Sequence, residues 1–299
     1  MNPSDAFRLA WESLFFECPN VYSVLPISGG SINPIFKVES SDGLFVMKMN
    51  SYIQYPNMFS VEAKGLAILS DTKTISCGEV VGICELDTHQ VLILNYISSN
   101  AKGSNFFENF GPDIYRVRLA HLHRNSAQYF GSDHDNYMGR PPQKNNKEFS
   151  ASDYFMNQRL LPQLDLATTH QTITKDLRIK FDTLFLKLES LLPNESPSLI
   201  HGDLWGGNFI VGEGGNVVLI DPVVSYFSRE CDISMTKLFG GFEKSFYDSY
   251  HQTFPLQPQW EKRIPLWNLY PLLVHVNLFG GSYLNDVKAN LKYFVSSFL

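Results

Sequence analysis

The chain has 299 residues, of which 44% are hydrophobic, 14% aromatic and only 18% charged. That balance supports a substantial core and argues against wholesale disorder. The formal net charge is −6 with no clustered basic block, so a nucleic-acid partner is not expected.

No apolar run is long enough to cross a bilayer. The opening Met1-Asn2-Pro3-Ser4-Asp5 has no basic region ahead of an apolar stretch. Cys18, Cys77, Cys84 and Cys231 form neither a CxxC pair nor a zinc ligand set. The expectation is a cytoplasmic protein with reduced thiols and no membrane partner.

Asp5 to Phe16 sets Phe7, Ala10, Trp11, Leu14 and Phe15 at helical spacing. Pro26 to Ser31 is a turn region containing Gly29-Gly30. Ile35–Glu39 and Leu44–Met49 alternate like two strands of a hairpin around Asp42-Gly43. Phe59–Ser70 reads as a helix and Gln90–Ile97 as a buried strand. Beyond Ser98 the pattern turns helical, at Val117–Leu122 and over Lys180–Leu192. Phe130–Asn146 is an irregular excursion rich in Gly, Asp, Asn and Pro. Asn208–Val211 and Val217–Ile220 read as two short strands, and the chain from Ser234 onward as helical and aromatic. The expected plan is an α+β, bilobal, protein-kinase-like fold. Residues 1–97 form a β-rich nucleotide-binding lobe, a connector lies near residues 95–100, and residues 98–299 form a mainly helical catalytic lobe.

The segment His201-Gly202-Asp203-Leu204-Trp205-Gly206-Gly207-Asn208 fits the kinase catalytic-loop pattern H-R-D-L-x-x-x-N except at Gly202. Asp221 follows Asp203 by eighteen residues, directly after the apolar strand Val217–Ile220. Transfer of a γ-phosphoryl group needs an acceptor hydroxyl held in line and a base for its proton. Asp203 suits the base. Asn208 and Asp221 offer the hard oxygens that magnesium prefers, beside the phosphates of ATP.

Upstream, Lys48 shares a strand face with Leu44 and Val46, and Glu62 follows fourteen residues later on the expected helix. Their order suits a phosphate-binding Lys and its Glu partner. Gly29, Gly30 and Ser31 let backbone N–H groups approach phosphate, although they do not form G-x-G-x-x-G. The adenine hinge is expected at Asn95, Tyr96 and Ile97. No A-P-E segment follows Asp221, and Pro222 stands where Phe-Gly would, which favours a small acceptor over a protein-docking kinase.

With these residues in place, the chain resembles the fructosamine-3-kinase (ketosamine kinase) family over nearly its full length. The likeness rests on Gly29-Gly30-Ser31-Ile32-Asn33, Phe45-Val46-Met47-Lys48 and the Glu62 helix. It continues through Phe130-Gly131 with Asp135-Asn136-Tyr137, Arg159-Leu160 with Pro162-Gln163-Leu164, and the 201–208 loop. Asp221-Pro222, Arg229-Glu230-Cys231-Asp232 and Leu238-Phe239-Gly240-Gly241-Phe242 complete it. The resemblance implies ATP- and magnesium-dependent phosphorylation of a sugar hydroxyl on a ketosamine, a step in deglycation. It implies Asp203 as proton acceptor, and Trp205, His201 and Asp135 on the acceptor side. Asn95 departs from the acid common at the hinge, and Ser31 replaces the Cys that some members carry. HGD with a later Asp also fits aminoglycoside, choline and homoserine kinases, so those acceptors stay open. A non-catalytic nucleotide-binding module is the third reading.

Overall fold

The computed structural model describes residues 1–27, 32–98, 112–212 and 215–295, the side chains of 112–116 excepted. The chain divides into two compact units. The first joins Met1–Phe106 to Phe209–Asp221; the second joins Phe107–Asn208 to Pro222–Leu299.

Helix α1, Pro3–Phe15, opens the first unit. Asn2 caps it by accepting the N–H of Ser4 at 2.9 Å, and Pro3 supplies the preset φ of a first turn. It stops at Phe16, which takes a left-handed conformation while its N–H closes on the Glu12 carbonyl. Its inner face carries Ala6, Phe7, Ala10 and Trp11. The sheet follows as β1 Val21–Pro26, β2 Ile35–Ser40, β3 Gly43–Ser51, β5 Val80–Leu86 and β6 His89–Asn95. The five strands are antiparallel in the order β1-β2-β3-β6-β5.

The two-residue period of β3 sends Phe45, Met47 and Met49 into the cluster with Phe7 and Trp11. Burying one such aromatic side chain stabilises the fold by about 2–3 kcal/mol. The alternate residues Val46, Lys48 and Asn50 therefore face the other way. Helix α2, Met58–Asp71, packs against β5 and β6.

The hairpin of β10 Phe209–Val211 and β11 Val217–Leu219 belongs to this first unit because β11 pairs in parallel with β4, Ser76–Cys77. The sequence reading had no β4, and so left this hairpin with the later residues. β5 has no counterpart in the sequence pattern either, and β1 only a strand-like segment ahead of Gly29. Both are sheet edges whose half-buried residues never alternate cleanly.

In the second unit, α3 Pro112–His123 leads to the excursion, which contains the small pair β7 Asn136–Tyr137 and β8 Pro142–Gln143. One helical run follows. It is α4 Ala151–Tyr154, a π-helical turn Phe155–Leu160, and α5 Leu161–Thr169. The helix expected over Lys180–Leu192 is broken into α6 Lys175–Phe185 and α7 Leu188–Leu191. A tight i→i−3 bond from Lys187 to Leu184 ends the first piece, exposes Leu186 and lets Leu184 and Leu188 both face inward.

Strands β9 Ser198–Ile200 and β12 Ser225–Phe227 pair antiparallel. C-terminal α-helices follow: α8 Glu230–Leu238, α9 Lys244–Thr253, α10 Trp260–Trp267, α11 Leu269–Phe279 and α12 Leu284–Val295. Phe227 centres the core, with ring centroids 4.8 Å from Tyr154 and 5.4 Å from Trp267. Among the described residues no helix is long and apolar enough to cross a membrane.

Candidate active site

Within the first unit, Lys48, Glu62 and Asp221 come together. The Lys48 ammonium lies 2.7 Å from Glu62 Oε1 and also donates to Asp221 Oδ1. Only 6% of the Lys48 side chain is exposed, and a buried charge of this kind needs partners. Burial works against the ammonium, but Asp221 and then Glu62 outweigh it and hold its pKa above the ordinary lysine range. Burial, opposed by the Lys48 ammonium and helped by the Asp221 charge, holds the Glu62 pKa above its ordinary value. Asp221 ends the β11 segment in a left-handed conformation. Its Oδ2 has no hydrogen-bond donor among the described residues, so that oxygen is available to a cation.

At the hinge expected from the sequence, Asn95 closes β6. Its N–H donates to Glu79 O at 3.0 Å and its side chain to Glu79 Oε2 at 2.7 Å. The N–H of Tyr96 donates to Leu44 O at 3.1 Å. Both donors are therefore spent inside the sheet. Ile97 N–H has no acceptor among the described residues, which makes it the free donor of the three. Gly29, Gly30 and Ser31 lie outside the described residues.

The second unit holds the 201–208 loop, which starts where β9 ends. His201 O accepts the N–H of Val223 at 2.7 Å, and Gly202 then turns the chain with φ +87°. The loop is closed by Asn208, whose Nδ2 donates to Asp203 O at 2.9 Å and to Asp203 Oδ2 at 2.8 Å. Asn208 Oδ1 is left over as a second hard oxygen. His201 is fully buried, and its Nδ1 accepts the N–H of Asp203 at 3.2 Å. The imidazole thus shapes the loop from inside. The family likeness places this residue on the acceptor side; here the side chain is fully buried.

Asp232 was not read as a site residue, although it lies in the Arg229–Asp232 motif. Its carboxylate accepts the N–H groups of His201 at 2.7 Å and Gly202 at 2.9 Å, and meets His123 Nε2 at 3.1 Å. His123 Nδ1 in turn lies 2.7 Å from the Tyr250 hydroxyl. Burial alone would raise the Asp232 pKa. The His123 hydrogen bond and charge, with help from His201 and the Gly202 N–H, override it and leave the carboxyl below its ordinary value. An acid at the start of a buried helix was the available signal.

Trp205 lies two residues beyond Asp203 and covers Gly207, where a Cβ would come within 2.4 Å of the indole. From Trp205 a row of rings continues: Phe239 at 5.7 Å, His275 at 5.0 Å from Phe239, and Tyr283 at 4.9 Å from His275. Burial holds the His275 pKa below the usual histidine value despite its bond to Pro271 O. Asp135 is half exposed. Its carboxylate receives Asn145 N at 2.9 Å and Lys144 Nζ at 2.8 Å, so its described partners lie within the excursion.

Among the described residues no group of three or more His, Cys, Asp or Glu could hold a metal by itself. Asn208 and Asp221 each keep one oxygen free. A hard oxygen of this kind, on either residue, is what magnesium accepts, since it takes few protein ligands and completes its shell with water and phosphate oxygens.

The family model described as "Fructosamine kinase" matches residues 13–297. The chain belongs to the fructosamine kinase family. An Enterococcus faecium protein that carries the ketoamine kinase name is 34% identical over 275 residues, covering 91% of this chain and 95% of that protein. The chloroplastic protein-ribulosamine 3-kinase of Arabidopsis thaliana is 33% identical over 262 residues, covering 86% and 78%. A solved Thermobifida fusca structure named for fructosamine-3-kinase aligns with TM-score 0.83 at 27% identity, covering 96% of this chain and 97% of that one. The fold of this family member is protein-kinase-like, with a five-stranded antiparallel sheet in the first unit and a mainly helical second one.

Proposed function

We propose that the chain is an ATP- and magnesium-dependent kinase that phosphorylates a sugar hydroxyl of a ketosamine, a fructosamine-like or ribulosamine-like adduct, in the cytoplasm. The observation that carries this reading is the clamped Asp203. Asn208 holds one carboxylate oxygen at 2.8 Å, inside a loop that belongs to a fructosamine kinase sequence. Four free thiols fit a reducing compartment.

Asp203 takes the proton of the acceptor hydroxyl. The hydroxyl oxygen bonds to the γ-phosphorus as the bond from that phosphorus to the β–γ bridging oxygen breaks, and ADP leaves with the electron pair. Asn208 Nδ2 keeps the base aimed while its Oδ1 serves as a metal ligand. Asp221 offers Oδ2 to the same purpose. Support comes from the hairpin: Asn208 directly precedes β10, Asp221 follows β11 closely, and the Phe209↔Leu219 pair joins the two strands at that end. Bound magnesium supplies charge neutralisation for the phosphate oxygens. Lys48, kept cationic by two carboxylates, contacts the α- and β-phosphates, and Glu62 holds it in place. Ile97 N–H, with neighbouring backbone, binds the adenine edge, and Gly29, Gly30 and Ser31 cover the phosphates.

Trp205 is the acceptor wall, and the Phe239–His275 row extends it. Aromatic faces suit both a sugar ring and the ammonium of a ketosamine, and a neutral His275 does not repel that charge. Asp135 and His201 act at one remove, as supports of the excursion and of the loop.

The test is ADP release across a panel of free and peptide-bound ketosamines, aminoglycosides and amino alcohols. Turnover with ketosamines is expected. Turnover with an aminoglycoside or choline, and with no ketosamine, rejects the proposal.

A further inference from the structure

Among the described residues two arginines of the second unit are buried, Arg159 and Arg229, and Arg263 is nearly so. Arg229 is held by both oxygens of Glu195, at 2.6 and 3.2 Å, and Arg263 by both oxygens of Glu230, at 2.6 and 2.7 Å. Arg159 is 3% exposed, and no acid pairs with it among the described residues. It sits on the π-helical turn Phe155–Leu160, a local widening that is common where a side chain has a task.

Every hydrogen-bond acceptor of this guanidinium is neutral. Nη1 donates to the carbonyls of Lys144 at 2.6 Å and Gln158 at 3.0 Å. Nη2 donates to Asn145 Oδ1 at 2.7 Å, and to the hydroxyls of Tyr154 at 2.5 Å and Ser225 at 3.3 Å. The Nε–H has no acceptor among the described residues. The Tyr154 ring lies 4.6 Å from the guanidinium carbon and the Tyr270 ring 5.6 Å. Those faces spread the charge without cancelling it. A cation removed from water with no counter-charge is costly, and this fold avoids that cost at buried Arg229 and at the partly buried Arg263.

Beside Arg159 lies a cavity of about 30 Å³, lined almost wholly by buried residues. Its polar lining is Arg159, Gln143, Ser225, Asn268 and Tyr270, and Gly202 of the 201–208 loop forms part of its wall. A single water needs roughly 10–15 Å³ measured this way, so the space accepts one small ion or about two waters. Gln143 and Asn268 each use one amide hydrogen, toward Asn136 Oδ1 and Ser234 O, and each has a second to offer. Among the described residues no carboxylate lines the cavity.

We propose that this cavity is a binding site for a small monovalent anion, chloride in the cell, held by Arg159 with amide donors from Gln143 and Asn268. The ion supplies the missing counter-charge and fills the space beneath the loop that carries Asp203. The volume limits the ligand to a single halide-sized ion, and phosphate or a carboxylate-bearing metabolite is too large.

Bromide tests the site directly, because it replaces chloride and scatters anomalously. Full-length protein crystallised in sodium bromide at about 0.15 M ionic strength is expected to show an anomalous peak within hydrogen-bond distance of Arg159 Nε. A cavity that refines as water alone, without anomalous signal, overturns the proposal. In solution, exchanging gluconate for bromide at constant ionic strength should raise the melting temperature of the wild-type protein along a saturable curve. A response identical in the two salts also overturns it. Neither measurement needs a variant, so a misfolded Arg159 substitution cannot obscure the answer.

Discussion

Gly202 and Val223 touch backbone to backbone: a Cβ on Gly202 would lie 2.1 Å from the Val223 carbonyl oxygen. The contact is made at φ +87°, a conformation that L side chains rarely adopt. This explains why the pattern H-R-D is broken here. An Arg at this position would have to push β12's approach away from the loop.

Gly202→Ala is therefore expected to destabilise the protein by on the order of 2–4 kcal/mol and to lower turnover with it. Urea unfolding alongside ADP release measures both. Wild-type stability in this variant would mean that the close approach is not maintained in solution.

Asp203→Asn keeps the size of the side chain and removes its basicity. The turnover number should fall about 10³-fold or more, while nucleotide affinity by calorimetry stays within a few-fold. A kcat near that of wild type would remove Asp203 from its role as base.

The Lys48–Glu62 pair is buried enough to couple. In a cycle of Lys48→Met, Glu62→Gln and the double variant, the coupling energy in ATP binding should be about 1–3 kcal/mol. Lys48→Met alone leaves Glu62 and Asp221 facing each other without their cation. Additive effects would show that the contact at 2.7 Å does not act in nucleotide binding.

Asp232→Asn keeps one acceptor oxygen but turns an amide donor toward backbone N–H groups. A loss of roughly 3 kcal/mol is expected. The pH dependence gives the sign. The folded pKa of Asp232 is depressed below its ordinary 3.8, so below that pH the unfolded chain binds the extra proton first. Its stabilisation is present above about pH 4 and is lost as the pH falls through the folded value. Stability measured from pH 7 down to pH 3 should show a drop in the wild type that is shallower in Asp232→Asn. Equal slopes would assign the acid sensitivity elsewhere.

Trp205→Ala should raise KM for a ketosamine about 10- to 100-fold and leave KM for ATP unchanged, whereas Trp205→Phe retains most activity. If Trp205→Ala lowers only the melting temperature, the indole is packing rather than an acceptor wall.

Local spacing made much of the chemistry readable. The 201–208 loop closes on itself through Asn208 and Asp203, five residues apart, so one short segment specifies its own geometry. Lys48 and Glu62 were legible for a related reason. A strand and the next helix carry them, and the period of each element sets the facing side. His201 shows what spacing leaves out: the side chain is fully buried and its Nδ1 accepts the N–H of Asp203.

From the order of its residues alone, this chain specified its family, most of its helices, the β2–β3 hairpin and the loop in which Asn208 holds Asp203, because each depends on neighbours along the backbone. Packing decided the rest. Asp232 reaches back about thirty residues to hold His201 and Gly202, β4 recruits a hairpin that lies far along the chain, and Arg159 is enclosed with no carboxylate among the described residues. Such contacts join segments that no sequence period relates, and only the folded backbone brings their hydrogen-bonding groups within reach.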